Sequence, residues 1–191
     1  MPPDPPTARS SPPMTDIDDV RSCHGSQRRS DITPDALWPE IGFRRPDELL
    51  RRGPDGPPAL ADDELCVIRR EDGDDCYLRA TLILPIVGGS GCMVYGPWAQ
   101  VCACSFYDYC DRFDDPDHRV RYPGGLATAI PGYDDVLGLP LQVVTQGAQR
   151  PPRLVPEPDV DHPLVRDFYD GITGAEAELR LRSLLLIRQR P

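Results

Sequence analysis

The sequence contains no lysine. All 21 of its basic residues are arginine, and 31 Asp and Glu outnumber them, giving a formal net charge of −10. A surface of that sign repels phosphate backbones and anionic lipid, so nucleic acid and membrane are set aside as partners. The arginines at Arg44-Arg45, Arg51-Arg52 and between 180 and 190 are too scattered to form a basic stripe. Apolar residues are scarce at 39%, and no stretch approaches the ~20 needed to span a bilayer. The first residues lack the basic and apolar regions of a secretory signal. The seven cysteines (23, 66, 76, 92, 102, 104 and 110) are an odd set without repeated spacing, unlike a secreted disulfide scaffold. These absences together predict a cytoplasmic protein with reduced thiols.

Chemical motifs are equally sparse. No Ser-His-Asp order and no paired-carboxylate motif stands out. Gly88-Gly89-Ser90-Gly91 is followed by neither a lysine nor a helix start, so it reads as a hairpin turn and not as a phosphate cradle. No cofactor is expected, and the partner is left as an unknown protein or small molecule. The oligomeric state is not legible.

What the chain does have is organisation. Residues 1–30 are dominated by Pro, Ser, Asp and Arg and read as a disordered, Pro-rich tail with nothing to bury. Residues 31–59 form a poorly defined lead-in with a few apolar anchors and a short helix around 46–52, where Pro46 suits a first turn. Residues 60–190 read as a single α+β domain. Its front is a small antiparallel meander of three strands, at 64–70, 76–86 and 92–101, joined by short turns. In the second, Cys76, Leu78, Ala80, Leu82 and Leu84 alternate onto one face. A short amphipathic helix follows over 104–113. Residues 116–125 read as a loop, 126–131 as extended, and 140–145 and 153–155 as short strands. Two C-terminal helices close the chain. Asp161-His162-Pro163 opens one, and Thr173-Gly174-Ala175-Glu176 opens the other as a capping box.

Several of these strings occur in an order that resembles a bacterial family catalogued as domain of unknown function 2199. Asp63-Glu64-Leu65-Cys66-Val67-Ile68, the strand end Leu84-Pro85-Ile86, and Tyr95-Gly96-Pro97-Trp98 are similar to its opening, middle and Trp-containing segments. Gly124-Gly125-Leu126 with Ala129-Ile130-Pro131-Gly132-Tyr133, and Asp161-His162-Pro163-Leu164 with Gly171-Ile172, are similar to its later ones. The resemblance spans roughly residues 60–173 and implies no activity. Family members often begin with a Cys-x-x-Cys-Gly-x-x-His element that looks like a metal knuckle. Here only Cys23-His24-Gly25 remains, with Val20 and Arg28 at the other ligand positions, so the resemblance implies that a tetrahedral zinc site has been lost. The family's Ser-rich strand end is replaced by Val101-Cys102-Ala103-Cys104.

Two site readings follow. Tyr95, Trp98, Phe106 and Tyr107 gather aromatic area near one strand end. Exposed, they make a groove for a non-catalytic binding or interaction module; buried, they are core. The alternative is a small metal- or thiol-dependent enzyme around Cys102, Cys104 and His162, with His162 and Cys104 catalytic and Cys102, Cys104 and Cys110 as weak metal-ligand candidates. Packing is the plainer role for the cysteines, and helix capping is the plainer role for His162. The acidic set Asp108, Asp111, Asp114, Asp115 and Asp117 lacks the spacing of a calcium loop and reads as a solvated face. His118 has no partner visible in the sequence.

Overall fold

The computed structural model describes residues 40–52, 56–88 and 91–188. The Pro-rich tail, the Cys23-His24-Gly25 string and the tip of the Gly-rich turn (89–90) lie outside the described residues. The architecture is α+β, with eleven strands and four helices among the described residues, in two sheets.

Both long strands expected at 76–86 and 92–101 are broken in two. The first divides into β4 (Asp75–Arg79) and β5 (Leu82–Val87), the second into β6 (Cys92–Gly96) and β7 (Trp98–Val101). One register runs through both halves: Cys76 faces Val101, Arg79 faces Trp98, Leu82 faces Tyr95, and Pro85 faces Cys92. The ribbon is therefore a single antiparallel hairpin that bends without inserting a residue. The bend lies at Ala80–Thr81 opposite Pro97, whose carbonyl still accepts from Ala80 N–H at 2.9 Å. Pro97 has no N–H to offer a ladder, which suits it to the corner.

The inner half of the ribbon belongs to a seven-stranded antiparallel sheet. It also contains β2 (Ala59–Ala61), β3 (Leu65–Ile68), β8 (Arg121–Leu126), β9 (Pro140–Val144) and β10 (Arg153–Pro156), in the order β10-β9-β8-β7-β4-β3-β2. Apart from the bent hairpin this is a meander, as the short connections predict. The sheet curls until β10 meets the corner: Thr81 N–H donates to Pro152 O, and Leu154 N–H donates to Thr81 O. The outer half of the ribbon forms a second, four-stranded sheet. Its edges are β1 (Ile41–Gly42), parallel to β6, and β11 (Ile172–Thr173), parallel to β5. The lead-in segment thus supplies a strand, and also the helix α1 (Asp47–Arg51).

Strand β8 is the main departure from expectation, since Tyr122-Pro123-Gly124-Gly125 reads as a turn. It lies between β7 and β9 and pairs with both. Gly124 is required there: a Cβ would lie 2.6 Å from Gln100 O and 3.2 Å from Val101 Cγ1. The tertiary pairing overrides local turn propensity.

Helix α2 (Ala103–Asp111) packs on β4. Helix α3 (Pro163–Asp170) lies on β5, with Leu164 and Val165 buried. Gly171, at φ 83°, returns the chain to β11; a Cβ there would lie 2.7 Å from Val87 Cγ2 and 2.9 Å from Pro85 O. The Gly171-Ile172 ending therefore has a steric cause. Helix α4 (Gly174–Arg188) begins with Thr173 Oγ1 accepting from Glu176 N–H at 3.2 Å. Only that half of the capping box is used as expected, because the Glu176 carboxylate accepts from Arg180. Arg180 is also bound by Asp167 at 2.7 Å and lies over the Tyr133 ring, 4.4 Å from its centroid. That network ties α4 to α3.

The core has two parts. Cys76, Leu78, Ala80, Leu82 and Leu84, the predicted alternating face, join the larger one. Tyr77, on the other face, joins Cys66, Ile68 and Trp98 in a smaller cluster that Phe43, Leu49 and Ala127 cover. Both faces of this sheet are therefore covered, which an amphipathic pattern does not announce.

Candidate functional site

The four aromatic residues do not make a surface groove. Trp98 and Tyr95 are fully buried, Phe106 is buried, and Tyr107 is half-buried. Trp98 lies at the ribbon bend, and its side chain joins the smaller cluster. Its indole N–H donates to Phe43 O at 3.2 Å, a partner that a buried indole requires. The Tyr95 hydroxyl lies 3.1 Å from Met93 Sδ. Burial pushes its titration up, against the nearby Arg180 guanidinium. Phe106 turns inward from α2 and meets Tyr107 edge to face at 5.4 Å. Burial raises the Tyr107 phenol too, with Cys76 and Asp74 adding to it. The bend and α2 bring Tyr95, Trp98 and Phe106 into the interior, so they do not present a recognition face.

The thiol set also arranges differently. β7 ends at Val101, so Cys102 and Cys104 do not continue a strand face; Cys102 is the N-cap of α2. The two sulfurs form a disulfide with Cα atoms 5.4 Å apart. They are exposed, and being bonded to each other they are not placed as metal ligands. Cys110 is buried in the larger core. Among the described residues no group of three or more His, Cys, Asp and Glu side chains could hold a metal ion. Cys66 and Cys76 are buried free thiols. Burial pushes them up to about 11 and about 12, away from thiolate chemistry at neutral pH.

His162 is fully engaged. Its Nδ1 accepts from Leu164 N–H at 3.1 Å, capping α3, so Nε2 carries the proton and donates to Asp134 O at 2.8 Å. With both nitrogens bound to backbone it is a positioning device, not a free base.

His118 does have partners, which sequence spacing concealed. Its Nε2 lies 2.8 Å from the Tyr122 hydroxyl, which in turn donates to the Asp108 carboxylate. Asp108, read as solvated, also pairs with Arg112 at 3.2 Å. Burial first, then Asp108, raises the Tyr122 titration. Three elements meet in this chain of hydrogen bonds: α2, β8 and the loop between them.

The recess that sequence reading missed lies between α1 and one face of the seven-stranded sheet, a groove of about 310 Å³. Its floor is Asp75, Tyr77, Gln100 and Gly125. One wall is the α1 residues Asp47, Glu48 and Arg51, and the other is Leu137–Gly138. Helix α1 is held over the sheet by Asp47, whose N–H donates to Ala127 O at 2.9 Å and whose carboxylate accepts from Ala129 N–H at 3.2 Å. Across the groove Arg70 bridges Glu48 at 3.0 Å and also binds Asp75. Those two hydrogen bonds raise the Arg70 titration further above its ordinary value. Gln100 donates to Asp75 at 3.0 Å. Arg51 is held more loosely, 3.8 Å from Asp47 and 3.9 Å from Glu48. Burial, and then Asp75 and Glu48, pushes the Tyr77 phenol up. The lining offers guanidinium and amide donors beside carboxylate acceptors, over an aromatic and glycine floor.

No helix among the described residues is long and apolar enough to cross a membrane. A family model described as "Uncharacterized protein conserved in bacteria (DUF2199)" matches residues 21–172. That span begins well before the strings that carry the likeness in the sequence and takes in β1 and α1. No curated protein and no solved structure matches the chain.

Proposed function

The chain belongs to the DUF2199 family of uncharacterized bacterial proteins, and from that premise we propose that it is a binding module whose ligand seats in the groove between α1 and the sheet. The observation that carries this reading is the groove itself. It is about 310 Å³, within the lower range of small-molecule pockets, and it is lined by opposed charges on short, fixed elements. Arg70, Glu48, Asp75 and Gln100 already satisfy one another. Such a lining orients a ligand by hydrogen bonds and does not set up a free base or nucleophile. Arg51, at the rim and more weakly paired, is the side chain free to turn onto an anionic group. A ligand carrying both a carboxylate and an amine or amide, of amino-acid or dipeptide size, matches this donor and acceptor set.

The test is a thermal-shift screen of zwitterionic small molecules against the full chain. A ligand at about 100 times its Kd adds about 2.7 kcal/mol to stability. The shift should weaken when Arg51→Ala removes the rim guanidinium, by about tenfold in affinity. A panel without any stabilising member, or a shift indifferent to Arg51→Ala and to Gln100→Leu alike, defeats the proposal.

A further inference from the structure

We infer that Cys102 and Cys104 form a thiol–disulfide exchange site, whose disulfide is opened by external thiols and re-formed by external disulfides while the rest of the fold stays intact. This is independent of the groove. Cys102 is the N-cap of α2 and Cys104 lies in its first turn, and both residues are exposed. Only one residue lies between them, so the bond closes a very short loop and removes little entropy from the unfolded chain. It joins no two separate elements. As a staple it does little, whereas as a reactive bond it is open to solvent.

The surroundings also distinguish the two sulfurs. Cys102 Sγ accepts from Ser105 N–H at 3.3 Å and lies 3.1 Å from Ser105 Oγ. A disulfide sulfur carries no hydrogen, so the Ser105 hydroxyl is the donor in that second contact. Ser105 is itself buried and held in place by α2, a helix of nine residues. Both donors favour a negative charge on Cys102. Cys102 is therefore the better leaving group, and Cys104 is the sulfur that is attacked.

An external thiolate attacks Cys104 Sγ, forming a mixed disulfide. The Cys102–Cys104 bond breaks, and its electron pair leaves on Cys102 Sγ, where the Ser105 donors receive it. A second thiolate, or the second sulfur of a dithiol, then attacks the bound external sulfur. It releases the external disulfide and leaves Cys104 as a thiolate that takes a proton from water. The protein pair gains two electrons and the external thiols lose two. Ser105 is a positioning residue in this scheme. The buried thiols Cys66 and Cys76 take no part.

The experiment exposes the full chain, at pH 7 without denaturant, to a millimolar glutathione redox buffer and, in a parallel arm, to dithiothreitol. Samples are quenched with iodoacetamide, and the labelled peptides are mapped by mass. Cys102 and Cys104 should open and become labelled while Cys66 and Cys76 stay unlabelled. The Cys102→Ser variant, which keeps Cys104 as a single thiol, should accumulate a glutathione mixed disulfide on Cys104. Ser105→Ala should slow opening roughly tenfold, and Ser105→Thr, which keeps the hydroxyl, should restore it, with circular dichroism unchanged in both. The double variant Cys102→Ser/Cys104→Ser should melt within a few degrees of the parent. The inference is overturned if the disulfide opens only on unfolding, or if the Ser105→Ala rate equals that of the parent.

Discussion

Replacing Trp98 by alanine decides between the two sequence-level readings of the aromatic cluster. Trp98 is fully buried where the ribbon bends from one sheet to the other. It fills the smaller core beside Cys66, Ile68 and Tyr77. Removing a buried aromatic of this size costs about 3–5 kcal/mol, through lost transfer free energy and the cavity left behind. The indole hydrogen bond to Phe43 O is lost as well, which adds about 1 kcal/mol. The sum, about 4–6 kcal/mol, is a large part of the 5–15 kcal/mol that typically holds a domain together. Urea unfolding followed by far-UV circular dichroism is the assay, because the change then appears as a lower midpoint at nearly constant slope. The variant should be largely unfolded or unfold at much lower urea. A loss under about 1 kcal/mol would refute the core assignment and return Trp98 to the surface as a recognition residue.

Gly124→Ala should lower stability by about 1–3 kcal/mol, because its Cβ meets Gln100 O and the central β7–β8 pairing must shift; an unchanged urea midpoint would contradict that close approach. His162→Ala should cost about 1–2 kcal/mol by uncapping α3, and His162→Asn should recover about half of it. A pure catalytic role would instead leave the midpoint untouched. The two buried thiols should make stability decline as pH rises above 9. Burial raises Cys66 and Cys76 from 9.0 to about 11 and about 12, so between those values the unfolded chain has lost protons that the folded chain retains. The slope is about 1.4 kcal/mol per pH unit for each thiol, and between pH 9 and 10, below the range in which the raised tyrosines add to it, Cys66→Ala should roughly halve it in urea titrations.

Elements with local signals were legible in the amino-acid order. The alternation of Cys76, Leu78, Ala80, Leu82 and Leu84 marked the core face, and His162-Pro163 and Thr173 marked the starts of α3 and α4. The amphipathic pattern over 104–113 gave α2 with its inward Phe106, Tyr109 and Cys110. The order of short motifs also pointed to the family. Features that depend on partners distant in the chain emerged only from packing. Period-2 alternation says which face is apolar, not whether the other face is covered, so Tyr77 and Trp98 became core only because the segment from Phe43 to Leu49 lies across them. Tyr122-Pro123-Gly124-Gly125 has the composition of a turn, and two neighbouring strands make it a central strand. The groove arises where α1, β4, β7 and β8 meet, although no one of them carries a motif. The partnership of Asp108, Tyr122 and His118 likewise exists only after α2 and β8 are packed side by side. Local sequence sets propensity and periodicity; burial and the meeting of distant side chains are properties of the packed whole.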